Sequence, residues 1–334
     1  MSHGPVTLAV LDDATIRSLL VWPDVIELID VTFAADARGQ ATVLPVVGHS
    51  LNGGRYSLKT SHLRLGNGEE MLEVFGLKMG SYFPGNVERH LPTHSAAMLL
   101  GDPRTGQPAA LLAANAITEF RTAAAGAVAA RRLAREDASV VALFGTGGQA
   151  RAQIEALTHV RSVREVRVWS RSRERAESFV DRLNLPGVTA KVVMDGQAAC
   201  HEADLVVTVT PATRAIIERE WITPGTHVNA MGSDAPGKQE LDPALVASAK
   251  VVVDRRGQSV GIGELQAPVA RGLMRVEDVH AELGEVCAAL RPGRENDREI
   301  TVFDSTGVSF QDTALAGMAL RVATARQALK SVSL

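Results

Sequence analysis

Several places in this sequence carry residue types whose spacing suits chemistry. VVALFGTGGQA sets Gly145, Gly147 and Ala150 as G-x-G-x-x-A between an apolar strand and a helix that begins near Gly148. Gly145 permits a tight turn, Gly147 lets backbone approach a pyrophosphate, and Ala150 permits close packing of helix on strand. The helix N-terminus then offers N–H groups to the anion. A second strand ends about 20 residues further on, as a dinucleotide-binding unit requires. The residues there are Trp169, Ser170, Arg171, Ser172 and Arg173, with no carboxylate for a ribose 2′-OH. Hydroxyls and guanidiniums suit a 2′-phosphate, so NADP(H) is favoured and NAD(H) remains open. The competing reading is a solvated helix start in which Glu174 and Glu177 pair with the arginines.

Lys78 lies between Leu77 and Met79 on an apolar strand, where a lysine is costly without a partner or a task. The alternative is an edge-strand lysine reaching solvent. Arg121 falls in the first turn of a helix expected to start at Thr118 as N-cap, and its guanidinium can grip a carboxylate with two bonds. Asp234 and Lys238 occupy GSDAPGK, after the apolar strand HVNAM and so at the carboxyl end of a sheet strand, where ligands bind in such folds. Asp234 can take or give a proton there, or merely close an Asx turn. From Ala37 to Gly68 there is no Asp or Glu, whereas Arg38, His49, Arg55, Lys59, His62 and Arg64 all occur. Such a segment welcomes an anionic substrate group and repels a distal ammonium. Alternation along YSLKTSH puts Ser57, Lys59 and Ser61 on one face, which is either the pocket or the solvated side. His94 in PTHSA is a further polar group near the inferred pocket.

The elements that must position these groups fall into two textures. Helical patterns at DDATIRSLL and PDVIELIDVTFAADARG are followed by strands around Thr42–Val47, Tyr56–His62, Phe75–Tyr82 and His94–Leu100, the last turning through DPRTG into PAALLAAN. This is an antiparallel α+β pattern. After a helix from Thr118 to Ala134 the order becomes strand, helix, strand, with further strands at Thr189–Val193, Asp204–Thr208, His227–Ala230, Lys250–Asp254 and Ile300–Phe303. Repeated βα units imply a parallel sheet. A final Ala-rich helix is expected from Gln311 to Leu329. The fold class is therefore α/β: a Rossmann-type doubly wound parallel sheet (residues 118–309) inserted in an α+β domain (residues 1–117 plus 310–334).

Composition narrows the partners. The 334 residues carry 35 Lys plus Arg against 38 Asp plus Glu, a net charge of −3, too balanced for a nucleic-acid or anionic-membrane partner. Hydrophobic residues reach 46% with aromatics at 4%, which argues against an aromatic stacking surface for nucleic acid. The 2 cysteines, Cys200 and Cys287, fit neither a disulfide framework nor a metal spacing, so no metal is expected. The start, MSHGPVTLAVLDD, lacks the basic and apolar regions of a leader, and no run is long enough to span a bilayer; a cytoplasmic protein is expected.

The segments GLKMGSYFPGN, PTHSAAMLLGDPRTGQPAALL, FRTAAAGAVAARRLA, GTGGQA, AMGSDAPGKQELDP and VFDSTGVSFQDTALA together resemble the ornithine cyclodeaminase/mu-crystallin superfamily, in the same order and over nearly the whole chain. Within it, PVVGHS, YSLKTS and the EITVFDSTG…QDTALA ending are most similar to iminosuccinate reductases and the ectoine-utilisation branch. The resemblance implies a homodimer, a split substrate-binding and dimerisation domain, and a nicotinamide-binding domain. It makes Lys78 and Asp234 catalytic, with Arg121 on the substrate carboxylate. It gives Gly145, Thr146, Gly147, Gly148, Gln149, Ala150, Ser170–Arg173, Thr210, Met231, Lys238 and Ser305 to the cofactor. One departure stands out: cyclodeaminases carry an arginine just after the proline of the segment that holds Pro45, but Val46 and Val47 follow here. Lys59 or His49 is the candidate replacement, holding the second carboxylate of a dicarboxylate such as iminosuccinate, with His94 nearby. The implied activity is reduction of a small imino acid, best iminosuccinate to aspartate. The alternatives are an ornithine cyclodeaminase, a pyrroline-carboxylate or ketimine reductase, and a mu-crystallin-like NADPH-binding protein without turnover.

Overall fold

The computed structural model describes residues 7–66, 68 and 71–334; residues 1–6, part of the stretch read for a leader, lie outside the described residues. The chain forms two compact units, Met1–Arg121 with Val308–Leu334, and Thr122–Gly307. These cuts fall a few residues from the expected boundaries at 117 and 310, because the first lies inside a helix.

In the first unit, β1 (Thr7–Leu11), β2 (Ala41–Val43), β3 (Val47–Leu51), β4 (Gly54–Leu65), β5 (Leu72–Tyr82), β6 (His94–Gly101) and β7 (Pro108–Ala113) join a final strand, Lys330–Ser333, in one sheet. The order is final strand, β1, β7, β6, β5, β4, β2, with β3 also on β4. β1 and β7 run parallel and the other pairs antiparallel. The single strand expected at Thr42–Val47 is split around Pro45, which has no N–H to give a ladder. β1 and the final strand were not foreseen: each is completed by the opposite end of the chain, and the last helix stops at Ala325 instead of Leu329.

Two helices cover one face of this sheet. The helix α1 (Asp13–Leu19) leads into α2 (Trp22–Ala37), which buries Val25, Ile26, Ile29 and Phe33. The C-terminal helix Ser309–Ala325 is buried from Ser309 through Ala319, with Phe310 edge-on to Phe33 at 5.3 Å between ring centroids. The helix α3 (Ala114–Leu133) begins four residues before the expected cap. Thr118 does not cap it: its hydroxyl donates to the Ala114 carbonyl at 2.8 Å. The orphan N–H of Ala116 is met instead by Asp13 Oδ1 at 2.8 Å, a partner distant in sequence.

The second unit, entered along α3, is a parallel sheet. Its strands β8 (Val140–Phe144), β9 (Glu165–Trp169), β10 (Thr189–Val192) and β11 (Leu205–Thr208) are joined by His227–Ala230, Thr301–Asp304, Lys250–Val253 and Ala281–Glu282. The order is β10, β9, β8, β11 and then those four as given. Helices α4 (Gly148–Thr158) and α5 (Arg173–Arg182) follow β8 and β9. Apolar clusters cover both faces, as a parallel sheet requires. Because β8 has β9 on one side and β11 on the other, the chain reverses its winding beside β8, which is where such sheets open a ligand crevice. A short parallel pairing of Thr213–Ile217 with Gln239–Leu241 was not foreseen. Among the described residues no helix is long and apolar enough to cross a membrane.

Candidate active site

In the first unit, Lys78 on β5 is 5% exposed and donates to Asp312 Oδ1 at 2.6 Å and to the Thr118 hydroxyl at 3.2 Å. Arg121 on α3 donates from Nε to the same Asp312 oxygen at 3.1 Å and from Nη1 to Gln311 Oε1 at 3.0 Å. Burial pushes the Lys78 ammonium down to about 7 against the pull of Asp312, with Arg121 and Lys59 adding to the fall. Burial would raise the Asp312 carboxyl, but Lys78, Arg121 and Lys59 outweigh it and hold it below its ordinary range. Asp312 and Gln311 were not singled out in the sequence. The available signal was a carboxylate in the apolar run FQDTALA, the argument that exposed Lys78.

The strand register sorts the basic candidates by face and position. Lys59 on β4 stands directly opposite Lys78, and Ser61 on the same face bonds the Thr313 hydroxyl at 2.7 Å, so this face lies under the C-terminal helix. Like charges facing each other across a ladder are destabilising unless an anion lies between them. His49 is not brought there: it is exposed on β3 opposite Tyr56, whose neighbours Leu58 and Thr60 point to the other face. His94 opens β6 opposite Tyr82, on the Lys78 face but four residues, roughly 13 Å, along the strand.

In the second unit the loop after β8 has the geometry its glycines suggest. Gly145 has φ +113°, and a Cβ there would lie 2.9 Å from the Val209 carbonyl oxygen. Gly147 and Gly148 open onto space, with no atom within 4 Å of a Cβ. Gly147 is the N-cap of α4 and supplies no side-chain cap, Ala150 is fully buried, and Gln149 Oε1 is buried without a hydrogen-bond partner. Thr146 lies within the same turn. These open glycines and the uncapped helix N-terminus, whose N–H groups are donors, fit a pyrophosphate. At the end of β9, Ser172 caps α5 by accepting from Arg175 N at 3.3 Å, and Ser170 Oγ accepts from Ser172 N at 3.3 Å. Arg173 pairs with Glu177 at 3.3 Å, as the solvated-helix reading has it, and Arg171 is exposed.

Around the carboxyl ends of the next strands lies a network missed in the sequence. The buried Glu240 carboxylate accepts from Thr208 Oγ1 at 2.7 Å, from Thr210 N and Oγ1 at 2.6 and 2.7 Å, and from Gly232 N at 2.8 Å. The Thr210 hydroxyl proton is thus given to Glu240. Glu264 accepts from Ser233, Glu240 N and Leu241 N, and burial followed by Glu240 pushes it up to about 7. Asp304, fully buried, is raised well above the ordinary carboxyl range by burial, Glu264 and Asp254. Asp234 is half-exposed and lies 2.5 Å from the Lys238 ammonium, which also reaches the Gly232 carbonyl at 3.1 Å. Met231 is 7% exposed, and Ser305 Oγ is buried with no hydrogen-bond partner.

The ornithine cyclodeaminase/mu-crystallin family profile matches residues 10–325. An archaeal alanine dehydrogenase dimer with bound NAD superposes with a TM-score of 0.92 at 37% identity, covering 98% of this chain and 99% of that one. The Thermococcus litoralis Δ1-pyrroline-2-carboxylate reductase in complex with NADH and L-proline gives 0.92 at 30% identity, covering 97% and 100%. The Paracoccus denitrificans iminosuccinate reductase in complex with NAD+ gives 0.88 at 35% identity, covering 98% and 100%. With a family match over nearly its whole length and these relatives, the chain belongs to the ornithine cyclodeaminase/mu-crystallin family.

Proposed function

We propose that this chain is a nicotinamide-dependent imino-acid reductase whose substrate is a small dicarboxylic imine, with iminosuccinate to L-aspartate as the best-fitting pair. The observation that carries the reading is the gathering of Lys59, Lys78 and Arg121 around the single carboxylate of Asp312, with the two lysines opposed across one ladder. A substrate with two carboxylates is complementary in charge to this group of cations. An ornithine-type substrate would add an ammonium to a site already rich in them.

The bound nicotinamide supplies hydride to the imine carbon. Lys78 and Arg121 take the α-carboxylate, a planar anion that a guanidinium grips with parallel bonds. Lys59 takes the second carboxylate. In the second unit Asp234 is the candidate acid–base group, oriented by the Lys238 ammonium. Gly145 through Ala150 cradle the pyrophosphate, with Ser305 and Met231 toward the nicotinamide. Ser170, Arg171, Ser172 and Arg173 favour NADP(H) over NAD(H), although the solved relatives above hold NAD+, NAD or NADH. Leu77, Met79 and Leu111 leave an apolar stripe exposed on the outer sheet face, which suits a second copy of the chain in a homodimer.

The test is ammonium-dependent oxidation of NADPH and of NADH by purified protein in oxaloacetate, from which iminosuccinate forms in solution. Rapid oxidation yielding aspartate, faster with NADPH, is the expected result. Ammonia release from ornithine without it would replace the reading with cyclodeaminase chemistry, and tight NADPH binding without any turnover would make the chain a binding protein.

A further inference from the structure

Side chains on one face of a strand recur every second residue, so successive rows across this sheet lie about 7 Å apart. One row beyond Lys59 and Lys78, on the same face, Gly48, Ser57, Gly80 and Ala96 stand side by side across β3, β4, β5 and β6. The neighbouring rows are not small. The lysine row continues into Met98, and the row beyond the small one sets Arg55 opposite Tyr82, with the guanidinium 5.8 Å from the ring centroid.

Gly80 is not required by backbone geometry, since it is absent from the glycines with positive φ. Nor is it required by crowding: a Cβ built there meets no atom within 4 Å. Gly76, one row to the other side of the lysines, differs, because its Cβ would come within 2.6 Å of Leu100 Cδ2. Gly76 faces the Leu100 side chain of β6, whereas Gly80 faces the smaller Ala96, and the C-terminal helix also keeps clear of Gly80. It places Asp312 on Lys78, Thr313 on Ser61 and Gly317 against Val74, so it starts at the lysine row and runs away from Gly80. The space over Gly80 therefore lies beside the cation cluster and past the start of the helix.

We propose that this row of small residues floors the subsite for the substrate's side chain, and that Gly80 sets the size of side chain accepted. The inference rests on the imino-acid reading above and deepens it. A four-carbon diacid held by one carboxylate at Lys78 and Arg121 spans a little over half a row between its carboxyl carbons, and its far oxygens reach toward the next row. Its second carboxylate then points toward Gly80, beside Ser57 and within reach of the Lys59 side chain. Arg55 and Tyr82 close the far end and limit the length.

The experiment compares wild type with Gly80→Ala and Gly80→Val on the imines formed from ammonium with oxaloacetate and with pyruvate. Cofactor affinity and the circular dichroism spectrum check the fold. For Gly80→Val, kcat/KM on the four-carbon diacid is expected to fall about ten-fold or more, through KM, while the three-carbon imine stays within about three-fold; Gly80→Ala should lie between. Equal losses on both imines, or no loss on either, in a variant that still binds cofactor would overturn the inference and leave the imino-acid reading standing. A wild type that reduces neither imine would overturn the reading, and the inference with it.

Discussion

At the residue scale, the site is governed by one buried carboxylate shared between two cations. Asp312 Oδ1 receives both Lys78 and Arg121, which fixes the orientation of each cation and, on the proposed reading, leaves further donors to a substrate carboxylate. Lys78→Ala is expected to lower turnover about 100-fold or more and to leave cofactor binding within about two-fold, as titration and steady-state rates would show. Burial brings the Lys78 ammonium down to about 7, so its charge is present below that pH and lost above it. Competitive inhibition by succinate should accordingly weaken as pH rises through about 7, and inhibition that is flat from about pH 6 to about pH 8 would remove Lys78 from the carboxylate site. Lys78 was legible because a lysine in an apolar strand needs a reason. The choice between Lys59 and His49 was not legible, because it depends on which face of β4 meets the C-terminal helix.

At the element scale, positions rest on contacts between segments far apart in sequence. Helix α3 carries Thr118 and Arg121 to the cluster, and its first turn is held by Asp13 on α1. Asp13→Ala should lower the melting temperature by roughly 1–4 °C, a cap of about 1 kcal/mol, while Asp13→Asn, which keeps an acceptor, should cost less. Equal melting points for all three proteins would show that water serves that N–H as well. The expected start at Thr118 failed for the same reason: the true partner of the helix end cannot be seen from neighbouring residues. The nucleotide loop was legible because its strand, glycines and helix are contiguous, whereas the Glu240 and Glu264 network that ties the later loops together joins residues from separate strands.

At the scale of the whole molecule, the repeated βα pattern made the parallel sheet of the second unit readable except for the short edge strand Ala281–Glu282, which was not foreseen. The first unit hid more, since β1 is flanked by β7 and by the chain's last strand, a closure that no local pattern announces. The proposed reaction is hydride addition to an imine carbon. The most direct test incubates the protein with oxaloacetate, ammonium and reduced nicotinamide cofactor deuterated at C4, in each stereochemical form separately, and analyses the product by mass spectrometry. The account predicts aspartate carrying one deuterium on its α-carbon from one of the two forms. Aspartate without deuterium from either form, or no aspartate at all, would contradict it.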